Sequence, residues 1–183
     1  KGQITAVGIG VCYIVATAKD GSNQKAYCRV TVKRDEPTSE NLVINEIMAA
    51  NVDVYLDPSF NYGSWVELYN PTDKSVSLGG LYMTDDPNNL KKNHLLNTYG
   101  AIPAHGYALL NFDHHEEWTM PSFRQIDDKL DCDGGIIIIS DGTNIIAQQE
   151  YPEAISRTSY ARKTDGGAEW GVTGRPSPGA SNQ

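Results

Sequence analysis

Two glutamates stand inside runs otherwise suited to burial: Glu46 in "LVINEIM" and Glu67 in "WVELYN". Carboxylates on neighbouring strands could serve as acid and nucleophile in glycoside hydrolysis, which needs them about 5 to 10 Å apart across an open cleft. The sequence supplies no such cleft. The other chemistry open to a carboxylate in an apolar strand is to be held by backbone donors or a cation, because a buried charge must be paired. That framework role is the expectation for Glu46 and Glu67. Alternation puts Val66 and Leu68 on one face and Trp65, Glu67 and Tyr69 on the other. Arg162 in "SYARKTDGG" is the expected partner of Glu67, pinning the C-terminal segment to the sheet.

Other clusters carry less. "DHHEEW", residues 113 to 118, has metal-ligating residue types but not the helical H-E-x-x-H spacing, so it reads as a solvated loop. "DDKLDCDGG", residues 127 to 135, is rich in oxygen ligands yet lacks both the calcium-loop spacing and its closing glutamate; a turn accounts for it. No nucleophile elbow, Walker loop or dinucleotide-binding glycine pattern occurs. The residues therefore predict no catalytic site, no metal and no cofactor. Tyr55, Phe60, Tyr62 and Trp118 are the candidate ligand-binding residues. Aromatics in loops stack on sugars or anchor protein partners, and the alternative is that they fold back onto the body of the domain.

These residues need elements to hold them, and the composition bounds what those are. The 183 residues allow one domain or a domain with a fragment. No apolar run approaches the roughly 20 residues that cross a bilayer as a helix, and residues 136–139 have the length of a strand. The chain begins at Lys1 without a signal-like head and reads as cut from something longer. Its net charge of −8 is unevenly spread: residues 1–34 carry six bases and one acid, the remainder nine bases and 22 acids. Such an acidic surface repels a phosphate backbone, which argues against a nucleic-acid partner.

Short β-branched and aromatic runs, including "YALLNF" and "GIIIIS", alternate with turn signals such as Asn70-Pro71, Gly79-Gly80 and Asp141-Gly142. This pattern predicts an all-β sandwich. "GVCYIVATA" and "KAYCRVTV", separated by "KDGSNQ", predict a hairpin that carries Cys12 and Cys28 on its apolar faces. Two readings stay open for the thiols: a cross-strand disulfide, or two small buried apolar groups. The third cysteine, Cys132, lies in an Asp/Gly turn and is expected to be unpaired. Composition breaks at "KRDEPTSEN", where Pro, Ser, Thr and charges replace alternation, and this stretch reads as a linker.

Two resemblances sharpen this. Gly2 to Val7 with Gly10, Ile14 to Thr17 with Asp20-Gly21, and Cys28 to Val32 are similar to the closing strands of a bacterial Ig-like domain of group 2. From Leu42 onward, "INEIMAAN", "WVELYNPTDKSVSLGGLYMTDD", "IPAHGYALL", "LDCDGGIIIISDG" and "SYARKTDGGAEW" with "SPGASN" occur in the order found in lamin tail domains, which the chain resembles. The resemblance implies an Ig-like β-sandwich over residues 42–183, a linker at 34–41, and at 1–33 the hairpin remnant of a second Ig-like domain. It further implies a non-catalytic interaction or structural module, extracellular or at a bacterial cell surface, with a protein or surface glycan as partner. The alternative is a carbohydrate-binding accessory module. The inserts "DVYLDPSFNYGS" and "NFDHHEEWTMPSFRQIDD" depart from the family pattern, and they hold the candidate aromatics.

Overall fold

A computed structural model describes residues 10–32, 41–57, 60–94, 100–112, 125–126 and 128–182. The chain divides into two compact units, Lys1–Glu36 and Pro37–Gln183. The first contains a hairpin of β1 (Gly10–Thr17) and β2 (Lys25–Val32). Its turn is closed by the carboxylate of Asp20, which accepts from the backbone N–H of Ser22 at 2.9 Å and from its hydroxyl at 2.5 Å.

The register decides the cysteine question. Cys12 faces Val30 and Cys28 faces Ile14, so the two sulfurs share a face but stand diagonally. Diagonal neighbours lie about 7–8 Å apart, beyond the roughly 3.5–4.5 Å between Cβ atoms that a disulfide needs. Both thiols are free and exposed. The disulfide and the buried pair expected from alternation are both corrected: alternation fixes the face but neither the register nor what covers that face.

The second unit is all-β. Its strands are β3 (Val43–Met48), β4 (Ser64–Tyr69), β5 (Val76–Ser77), β6 (Tyr82–Thr84), β7 (Asn93–His94), β8 (Ala101–Ile102), β9 (Tyr107–Phe112), β10 (Gln125–Ile126), β11 (Gly135–Ser140), β12 (Ile145–Tyr151), β13 (Ser159–Arg162) and β14 (Trp170–Thr173). They form a six-stranded sheet in the order β10-β9-β4-β3-β13-β14, a four-stranded sheet β12-β11-β6-β7, and the pair β5-β8. All pairings are antiparallel except β10 with β9. Ile44, Val66, Leu68 and Leu110 from the large sheet and Met83, Ile137 and Ile139 from the smaller one share a core in which each is at most 1% exposed. Two sheets facing one apolar interior give a sandwich-like arrangement. No helix among the described residues is long and apolar enough to cross a membrane.

Tight connections hold the layers in register. Asn70 is fully buried after β4, with Nδ2 reaching Lys74 O at 2.7 Å, Pro103 O at 2.8 Å and Ile102 O at 3.1 Å, while its Oδ1 accepts from Thr72 N at 3.0 Å. Gly134, entering β11, has φ +100°, and a Cβ there would stand 2.9 Å from Tyr151 O, so no other residue fits.

Candidate functional site

Strand β3 breaks alternation. Ile44 pairs with Leu68 and Glu46 with Glu67, leaving Asn45 as the extra residue of a bulge. The bulge sends Ile44 and Ile47, three residues apart, into the core and places Asn45 and Glu46 together on the opposite face. Glu67 stands on that same face of β4, opposite Glu46, and both glutamates are 0% exposed. Asp165, from the loop between β13 and β14, completes a set of three carboxylates joined through Asn45. The Asn45 Nδ2 donates to Glu67 Oε1 at 3.0 Å and to Asp165 Oδ1 at 2.9 Å.

The remaining donors come from β13, β9 and the C-terminal residues 177–182. Glu46 accepts from the Ser159 hydroxyl and from Ser177 N, 3.2 Å from each oxygen; the Ser177 hydroxyl lies 3.0 Å from Oε2. Glu67 Oε2 accepts from Gly179 N at 2.7 Å. Asp165 accepts from Asn182 N at 3.0 Å, the Ser181 hydroxyl at 2.5 Å and the Tyr107 hydroxyl at 2.7 Å. Every carboxylate oxygen thus has a donor from the chain itself.

Electrostatics separates the three acids. Burial pushes the Glu67 carboxyl up to about 8, helped by the Glu46 and Asp165 charges and opposed by the bonds from Asn45 and Gly179. Burial also raises Glu46, against the bonds from Ser159 and Ser177. Burial pushes Asp165 upward too, but the bonds from Ser181, Asn45, Asn182 and Tyr107 together outweigh it and hold the carboxyl below its usual 3.8. Tyr107, half-buried and donating to Asp165, is pushed up to about 12 by partial burial and by that bond.

Arg162 does not reach Glu67. On β13, Ser159 and Ala161 point to the carboxylate face, whereas Tyr160 and Arg162 point the other way; Tyr160 and the neighbouring Trp170 pack against the core. Its guanidinium donates to Ile44 O at 2.7 Å and to Gly167 O and lies 4.7 Å over the Trp170 ring. The expected Glu67–Arg162 pair is corrected by strand parity, and Arg162 ties β3, the β13–β14 loop and Trp170 together instead. Asn45, Ser159, Asp165, Ser177, Gly179 and Asn182 were not singled out as partners. The signal for them lies in the small polar "SPGASN" and the Asp-Gly of "KTDGG", which by residue type alone are indistinguishable from ordinary turns.

Comparison with protein-family models, with curated proteins and with solved structures finds no match.

The aromatic candidates separate. Tyr55 turns inward, its ring 6.5 Å from Trp65 in an edge-on contact. Phe60 is 79% exposed with φ +64°, a backbone region that bulky residues rarely adopt, and Tyr62 is 45% exposed. Tyr62, but not Phe60, lines a cavity of about 420 Å³ together with Asn61, Ser64, Phe112, Lys129 and other residues. Trp118 and the whole of "DHHEEW" lie outside the described residues. In the 127–135 stretch, Asp128 is occupied by Lys92 at 2.8 Å and Asn93 at 3.0 Å, and Asp131 accepts from Asp133 N at 2.9 Å. Among the described residues no cluster of His, Cys, Asp or Glu is arranged to hold a metal.

Proposed function

We propose that residues 42–183 form a lamin-tail-type Ig-like sandwich acting as a non-catalytic interaction or structural module of a bacterial surface or secreted protein, preceded by strands of a group 2 bacterial Ig-like domain. The observation that carries the reading is the engagement of Glu46 and Glu67. With 0% exposure and donors on all four oxygens, the acids best suited to catalysis are spent on holding the chain's own C-terminal segment. The ordered motifs from Leu42 to Asn182 support the family assignment and, through it, the extracellular setting.

A second reading, a carbohydrate-binding accessory module, is favoured by the exposure of Phe60 and Tyr62 and by the 420 Å³ cavity that Tyr62 lines. A glycan array probed with the full chain, together with a panel of chromogenic glycosides, tests both readings. The first expects neither binding nor turnover. Selective glycan binding lost in Tyr62→Ala or Phe60→Ala establishes the second, and turnover abolished by Glu67→Gln overturns both.

A further inference from the structure

We propose that residues 177–182 form a strap whose closure over the carboxylate face of β3 and β4 depends on proton occupancy, closed near neutral pH and locally open in alkaline solution while the sandwich stays folded. This inference stands apart from the proposed function and rests on what holds the strap down. Ser177 bonds to Glu46, Gly179 to Glu67, and both Ser181 and Asn182 to Asp165; the Asn182 side chain adds bonds to Arg162 O at 2.8 Å and Asn45 O at 3.3 Å. The segment "SPGASN" offers no large apolar side chain, and Gly179, Ala180 and Ser181 are exposed. Its attachment is therefore almost wholly polar and converges on three acids.

Those acids have no compensating cation. The titratable groups facing the strap are Glu46 from β3, Glu67 from β4, Asp165 from the β13–β14 loop and Tyr107 from β9. Among the cations nearby, Arg162 faces the opposite side of β13, Lys163 is paired with Glu169 at 2.7 Å in solvent, and Arg175 is exposed. None forms an ion pair with the three acids among the described residues. Full ionisation would place like charges directly opposite each other on β3 and β4, which a site closed to water cannot sustain. Hydrating them by parting β3 from β4 would expose core side chains such as Val66 and Leu68, both 0% exposed. Lifting the strap hydrates the same oxygens and moves no residue of the apolar core. It also widens an adjoining cavity of about 340 Å³ that Ser177 and Asn182 line together with Arg162, Lys163 and Arg175, the three cations that border the strap without pairing with its acids. The raised Glu67 carboxyl, about 8, sets the range in which the change occurs.

Hydrogen exchange read by mass spectrometry on the full chain at about pH 6 and pH 9, corrected for intrinsic rates, tests the strap. The expected result is a roughly tenfold loss of protection at the higher pH in peptides covering 174–182, with peptides covering β4 and β11 unchanged. Glu67→Gln should abolish that difference, and Asn182→Ala should leave the strap open at both pH values over an intact sandwich. Equal protection of the wild-type strap at both pH values overturns the proposal, as does loss of protection in all peptides together. So does a Glu67→Gln chain that keeps the full pH difference. Should Glu67→Gln fail to fold, the wild-type comparison with Asn182→Ala decides alone.

Discussion

The carboxyl of Glu67 links residue chemistry to stability with a definite sign. Its folded value, about 8, lies above the 4.5 of an unburied glutamate, so its contribution is complete below about pH 4.5 and is lost as pH rises through 8. Asp165, held below 3.8, acts in the opposite sense, and its contribution disappears as pH falls through its lowered value. The melting temperature of the chain should therefore peak in mildly acidic solution and decline on both sides. The alkaline decline corresponds to on the order of 5 kcal/mol if the strap remains closed and less once it lifts. Glu67→Gln should flatten the alkaline limb and leave the acid limb in place; calorimetry from pH 3 to 9 checks both. Arg162 presents a different case. Arg162→Ala removes two charge-assisted bonds to carbonyls and the contact with Trp170, and should cost about 2–4 kcal/mol in urea unfolding. Arg162→Lys should recover only part of this, since one ammonium does not reproduce the planar fork that serves Ile44 O and Gly167 O.

At the scale of elements, the need of the two glutamates for partners was legible, because an acid between apolar residues in a strand must be paired once it is buried. The alternation of Val66 and Leu68 against Trp65 and Glu67 also holds in the structure. The partner of Glu67 was not legible. Alternation within β13 sends Arg162 away from the carboxylates, but only the β13–β3 register, with Ala161 opposite Glu46, shows which parity applies. The β3 bulge was hidden for a related reason. The three-residue spacing of Ile44 and Ile47 signals that period two fails, yet the sequence does not name the extra residue. The structure assigns it to Asn45, which donates to two acids and accepts from Gly166 N at 3.2 Å. Asn45→Ala strands those groups and should destabilise the second unit by about 2–4 kcal/mol. Asn45→Asp should be worse at pH 8 than at pH 5, because it adds a fourth carboxylate where two donors were needed; paired urea titrations at the two pH values measure the difference.

For the whole molecule, composition separated two regions that the fold also treats as distinct compact units: a basic N-terminal stretch and a long acidic remainder. What composition could not provide was the cover over each strand face. In the second unit the far face of β4 is closed by Tyr55 over Trp65 and by Gly179 over Glu67, contacts between segments more than a hundred residues apart in the second case. In the first unit Cys12 and Cys28 are exposed on a two-stranded ribbon, an arrangement with little cohesion of its own. The register keeps their sulfurs diagonal, and a two-residue slip would bring Cys12 opposite Cys28 without changing which side chains share a face. The thiols therefore report on register. Under native, non-reducing conditions, titration with a chromogenic disulfide reagent should find three reactive thiols per chain, from Cys12, Cys28 and Cys132, all of them exposed. A count of one, with a mass two hydrogens lighter, would mean that the ribbon has slipped and been trapped by oxidation, and the register described for β1 and β2 would then be wrong.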